Sequence, residues 1–61
     1  MADILLIDDD DMVRATTRAM LEIGGHQVRE ANSGFSGIDQ FRDTRPDMVI
    51  TDIVMPDMDG L

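Results

Sequence analysis

Carboxylates are concentrated at two points of this sequence, and each group directly follows an apolar run of strand length. Residues 8–11 are all Asp and follow the run at residues 4–7. The second group consists of Asp52, Asp57 and Asp59, and its first member directly follows Met48–Thr51. Two separate groups of like charge predict that a cation lies between them in the folded chain. Oxygen ligands of this kind suit Mg²⁺ or Mn²⁺.

The two apolar runs are expected to bring these carboxylates to one edge of a sheet. Neither run alternates between polar and apolar residues, which is typical of strands buried on both faces in parallel sheets. A carboxylate directly after such a strand lies at the carboxyl edge, where open α/β sheets bind their ligands. Asp52 is therefore the central candidate for chemistry.

A first helix is predicted between the first strand and a glycine pair. Asp10 or Asp11 is a good N-cap, and Gly24 with Gly25 ends the helix. Arg14 and Arg18 are expected on its polar side. The apolar face is predicted to consist of Val13, Thr17, Met20, Leu21 and Gly24.

The rest of the chain continues the alternation of strands and helices. Residues 26–31 predict a weak edge strand, and a second helix capped by Asn32 or Ser33 is expected to run to about Thr44. Residues 45–47 then turn the chain into the third strand. The predicted order β-α-β-α-β, with right-handed crossovers, indicates an α/β fold with a parallel sheet.

Composition excludes several classes of function. Thirteen acidic residues against five basic ones give a net charge of -8, which argues against nucleic acid as a partner. There is no Cys for a disulfide or a zinc-thiolate site. No apolar run approaches the length of a membrane span or a signal peptide, so we expect a cytoplasmic protein with no membrane partner.

Three blocks of the sequence resemble the receiver domain of two-component response regulators: LLIDDD, LEIGGHQV and PDMVITDIVMPDMDG. The similarity runs from Asp3 to Leu61. It implies a flavodoxin-like fold with strand order 2-1-3, an order that is a general property of this class of sheet. It also implies that residues 1–61 are a partial receiver domain, its first half.

The resemblance implies a role for each acidic residue of the site. Asp52 matches the aspartate that accepts a phosphoryl group from a histidine kinase or phosphotransfer protein. Asp8 and Asp9 match the acidic pair that, with Asp52, holds Mg²⁺ or Mn²⁺, and Val54 matches the residue that offers a backbone carbonyl to the ion. Such a receiver is a signalling module and we expect no enzyme activity of its own.

The sequence stops where the third helix of the family begins, with Asp59 as its expected cap. The Ser/Thr and Lys that contact the phosphoryl group in the family have no counterpart in these 61 residues. We therefore expect phosphorylation of this piece alone to be impaired. We also expect a homo-oligomer, because the third strand would be an exposed edge.

Two other classes remain open at the level of the sequence. Haloacid-dehalogenase-like phosphohydrolases place an aspartate nucleophile in a D-x-D pattern after their first strand, which Asp8 and Asp10 satisfy. The chain could alternatively be a structural or oligomerising half-domain without chemistry. A phosphoryl analogue trapped on Asp52 or on Asp8 separates the first two classes, and failure at both supports the third.

Overall fold

The computed structural model describes residues 1–52. The predictions made for Val54 and Asp59 lie outside the described residues. The elements are β1 (Asp3–Ile7), α1 (Asp11–Ile23), β2 (Gln27–Ala31), α2 (Gly34–Asp43) and β3 (Met48–Thr51). The predicted order β-α-β-α-β is confirmed, and each predicted boundary lies within one or two residues of the observed one.

The three strands form one parallel sheet in the order β2-β1-β3, as predicted. β1 is central, with Ile4 paired to Val28 on one side and to Met48 on the other. Its last four residues are all buried, and Leu5 is completely inaccessible to solvent. β1 therefore has a neighbouring strand at each edge and contacts both α1 and α2, which explains why its sequence is a continuous apolar run.

Local capping explains where the helices begin and end. The carboxylate of Asp10 accepts hydrogen bonds from the backbone N–H groups of Met12 and Val13, and the hydroxyl of Ser33 accepts one from Ser36. Both caps satisfy N–H groups that have no partner within the helix. After α1, Gly25 adopts a φ of 89°, a left-handed conformation that favours glycine.

The prediction that Arg14 and Arg18 lie on the polar side of α1 is wrong. Both side chains reach across to β2 and pair with Glu30, while Met20 is 68% exposed. Arginine can cover a sheet with its aliphatic stem and still present its charge to a partner. The helix is therefore rotated so that part of its predicted apolar face points to solvent.

α2 approaches β1 closely because Gly37 has no side chain. A Cβ at this position would overlap the side chain of Ile7, with its Cγ1 only 2.9 Å away. This contact lies one residue before Asp8, so the packing of α2 helps to set the end of β1. Substitution at Gly37 would require Ile7 to move in a closely packed core.

β3 is the least covered strand of the sheet. In the part of the chain that the structure describes, it pairs with β1 alone and neither helix packs against it. Met48 and Val49 are 53% and 40% exposed. An apolar groove of about 490 Å³ lies beside it, lined in part by Ile38 and Phe41 of α2.

Neither helix found among residues 1–52 has the length and apolar character that crossing a membrane requires.

Candidate functional site

The sheet register brings Asp8 and Asp52 to the same edge. Ile7 is paired with Thr51 at the carboxyl ends of β1 and β3, so the next residue of each strand is an aspartate. The backbone N–H of Asp52 donates to the carbonyl of Ile7 at 3.1 Å, which extends the ladder beyond the strand. The N–H of Asp8 donates to the carbonyl of Ala31 at 3.0 Å and ties it to β2 as well.

The acidic residues of this edge differ strongly in their exposure. Asp8 is 4% exposed, and its Oδ1 accepts a hydrogen bond from the backbone N–H of Asp10 at 2.9 Å. Asp9 and Asp52 are both exposed to solvent. One carboxylate is thus fixed by the turn between β1 and α1, while two others can reorient at the surface.

The donor set fits a divalent cation by its chemistry, since it consists of carboxylate oxygens at the carboxyl edge of a parallel sheet. Within residues 1–52, however, no three His, Cys, Asp or Glu side chains are placed together closely enough to hold a metal ion. The backbone brings Asp8 and Asp52 to adjacent positions, and the exposed side chains must rotate to converge. The carbonyl expected from Val54 lies outside the described residues.

Arg14, a basic residue predicted on the polar side of α1, lies directly behind this acidic turn. The guanidinium of Arg14 donates through Nη1 to the backbone carbonyl of Asp8 at 2.8 Å. It also donates to Asp11 Oδ1 at 2.6 Å and to Glu30 Oε1 at 2.9 Å. The spacing of Asp11 and Arg14 is typical of a helical ion pair, but no sequence pattern connects either of them with Glu30.

Glu30 is held by two arginines at the edge of the sheet. Hydrogen bonds from Arg18 and then Arg14 lower the pKa of its carboxyl group from the ordinary value of 4.5. The pKa of Arg18 is raised by its hydrogen bond to Glu30 and then by its bond to Glu22. The pKa of Arg14 is raised first by its hydrogen bond to Asp11 and then by its bond to Glu30. These contacts therefore favour the charged forms of Glu30, Arg14 and Arg18.

We expect acid to weaken the packing of α1 on β2 through this carboxylate. Because the folded state lowers the pKa of Glu30, its contribution to stability is present above the ordinary value and is lost as pH falls through the lowered one. Thermal unfolding followed by circular dichroism from about pH 7 to about pH 3 should show that Glu30→Gln flattens part of the acid-dependent decline. Glu22→Gln, which removes only the exposed partner of Arg18, is the matched control. Equal flattening by both variants would contradict the assignment.

Comparison with known proteins gives consistent results for sequence and structure. The model of the family "Response regulator receiver domain" matches residues 4–61. Protein PilH of Pseudomonas aeruginosa is 45% identical over 60 residues, and the match covers 98% of this chain and 50% of PilH. The transcriptional regulatory protein AfsQ1 of Streptomyces coelicolor is 40% identical over 60 residues, covering 98% of this chain and 27% of the relative.

A solved structure agrees with the topology described above. The crystal structure of a response regulator receiver domain protein from Clostridium thermocellum superimposes with a TM-score of 0.83 at 38% identity. The match covers 92% of this chain and 46% of that one. This chain thus spans between about a quarter and a half of the length of these matched proteins, and its sheet has the flavodoxin-like arrangement of a receiver domain.

Proposed function

The chain belongs to the response regulator receiver domain family, and on that premise we propose that Asp52 accepts a phosphoryl group from the phosphohistidine of a histidine kinase or phosphotransfer protein. One observation supports this most strongly: the backbone bond from the Asp52 N–H to the Ile7 carbonyl holds Asp52, which is exposed, at the backbone position next to the buried Asp8. In the proposed step a carboxylate oxygen of Asp52 forms a bond to phosphorus. The bond between phosphorus and the imidazole nitrogen breaks, and its electron pair returns to the histidine.

We propose that Asp8, Asp9 and Asp52, with the carbonyl of Val54, hold Mg²⁺ or Mn²⁺. When bound, the ion supplies positive charge that reduces the repulsion between a carboxylate nucleophile and an anionic phosphoryl group. Asp8 provides a fixed ligand, because the turn holds its side chain and its backbone is bonded to β2. Asp9 and Asp52 are the solvent-exposed ligands of the proposed set.

Metal binding is expected to depend on this set of residues. Calorimetry or Mn²⁺ relaxation should detect weak binding that Asp9→Ala and Asp52→Ala each reduce, because each removes an anionic oxygen ligand. Asp39→Ala, at an exposed position in α2, is the matched control and should leave binding unchanged. Loss of binding on Asp57→Ala, with none on Asp9→Ala or Asp52→Ala, would contradict the proposed ligands.

The alternative of a haloacid-dehalogenase-like phosphohydrolase requires Asp8 to be the nucleophile. Asp8 is 4% exposed and its Oδ1 is committed to the Asp10 N–H, whereas Asp52 is exposed at the end of its strand. These observations favour Asp52 as the acceptor. We propose that the chain is a cytoplasmic signalling module whose partner supplies the phosphoryl group.

A further inference from the structure

We propose that Arg14 is a positioning residue for the divalent-metal site, acting through the turn that carries Asp8 and Asp9. This inference rests on the proposed function of that turn. Arg14 bonds to the residue at each end of the turn, the carbonyl of Asp8 and the carboxylate of Asp11. The segment between these two points holds the exposed Asp9 and the capping Asp10.

The side chain of Arg14 is well suited to hold two ends of a turn at once. Its three donor nitrogens are directed to three different acceptors, the Asp8 carbonyl, Asp11 Oδ1 and Glu30 Oε1. A guanidinium presents its N–H groups in a rigid plane, whereas a lysine ammonium is a single point at the end of a flexible stem. A lysine at this position would keep the charge and lose the simultaneous contacts.

The position of Arg14 is itself set by β2. Glu30 holds the Nε of Arg14 at 2.9 Å, and the Arg14 side chain is only 15% exposed. Arg18 binds the other oxygen of Glu30 but has no hydrogen bond to the turn within residues 1–52. Arg18 therefore shares the ion-pair network of Arg14 without its contact to the acidic turn.

Two effects of Arg14 on metal affinity have opposite signs. Its positive charge opposes cation binding, and its hydrogen bonds favour binding by holding the turn in one conformation. The charge of Arg14 is balanced by Asp11 and Glu30, which both lie in direct contact with it. We therefore expect the positioning effect to dominate. Groups that orient metal ligands typically change affinity by about 10-fold to 100-fold when they are replaced.

The experiment compares Mn²⁺ affinities of three variants by water-proton relaxation, at a temperature where circular dichroism shows each to be folded. Arg14→Gln and Arg14→Lys are both expected to weaken binding by about 10-fold or more. Arg18→Gln should lower the unfolding temperature while its Mn²⁺ affinity stays close to that of the original chain. The separation of affinity from stability distinguishes positioning from a purely structural role.

Several results would overturn the inference. Tighter binding by Arg14→Gln with unchanged binding by Arg14→Lys would show that Arg14 acts through its charge alone. Equal weakening by Arg18→Gln would show a general effect of stability. If Arg14→Gln does not fold, Arg14→Lys carries the test, and an unchanged affinity in Arg14→Lys then overturns the inference.

Different results would reject the proposed function itself. Absence of Mn²⁺ binding by the original chain, or binding that Asp52→Ala does not change, would reject the metal site and with it the role of Arg14. Binding that depends on Asp52 but not on Arg14 would reject this inference alone.

Discussion

Replacement of Asp52 by Asn should abolish phosphoryl transfer to this chain from a phosphohistidine donor. The carboxamide is neutral and lacks the anionic oxygen that forms the new bond to phosphorus. With the original chain we expect transfer to be detectable but slow, since the 61 residues contain no lysine to stabilise the phosphoryl oxygens. A single stabilising donor of this kind is typically worth about 2.7 to 4 kcal/mol, or a factor of about 10² to 10³ in rate.

The measurement is transfer of radiolabelled phosphate from a phosphorylated histidine kinase or phosphotransfer protein in the presence of Mg²⁺. Asp39→Asn, which removes an exposed carboxylate on α2, is the control and should be labelled like the original chain. Label that persists in Asp52→Asn would reject Asp52 as the acceptor. Label that moves to Asp8 would favour the phosphohydrolase alternative. A stable, stoichiometric beryllofluoride adduct of the original chain would contradict the expected slow reaction.

We propose that this chain forms a homodimer through β3, and Ile50→Lys should then convert the dimer into monomers. Ile50 lies in the middle of β3, opposite Leu6 of β1, and is partly exposed. In the described part of the chain neither helix covers β3 and β1 is its one strand neighbour, so the apolar side chains of Met48 and Val49 are exposed on an edge strand that can recruit a partner. A two-fold axis would pair two such edges in antiparallel fashion.

Light scattering at low micromolar concentration tests this expectation. A lysine at residue 50 would place a charge in the proposed interface, whose partner copy carries the same charge. Phe35→Lys is the control, because Phe35 is 88% exposed at the start of α2 and belongs to a different surface. A folded monomer before any substitution, or a dimer that Ile50→Lys leaves intact, would end the hypothesis.

The strands and helix boundaries were predictable because their causes are local. The run at residues 4–7 has no polar position, so it requires burial on both faces wherever it lies. Asp10 and Ser33 cap the N–H groups of residues two or three positions later, which depends only on nearby chain. The left-handed conformation after α1 similarly follows from a glycine at residue 25.

The rotation of α1 could not be predicted in the same way. The spacing of Val13 and Met20 favours an apolar face that includes both, yet the structure leaves both exposed and directs Arg14 to β2. There Arg14 contacts Glu30, which is 16 residues away in the chain. Helical periodicity identifies which residues share a face, but the partner that the sheet offers decides which face packs.

The sequence by itself determined that each acidic group follows a buried strand, because the apolar runs and the carboxylates that end them are adjacent in the chain. Whether Asp8 and Asp52 meet was decided by the tertiary structure, since it depends on β1 and β3 being parallel neighbours in register. The tertiary structure alone also made Asp8 buried and Asp52 exposed. Burial and contact at this edge come from strand order and helix packing, which join residues that are far apart in the chain.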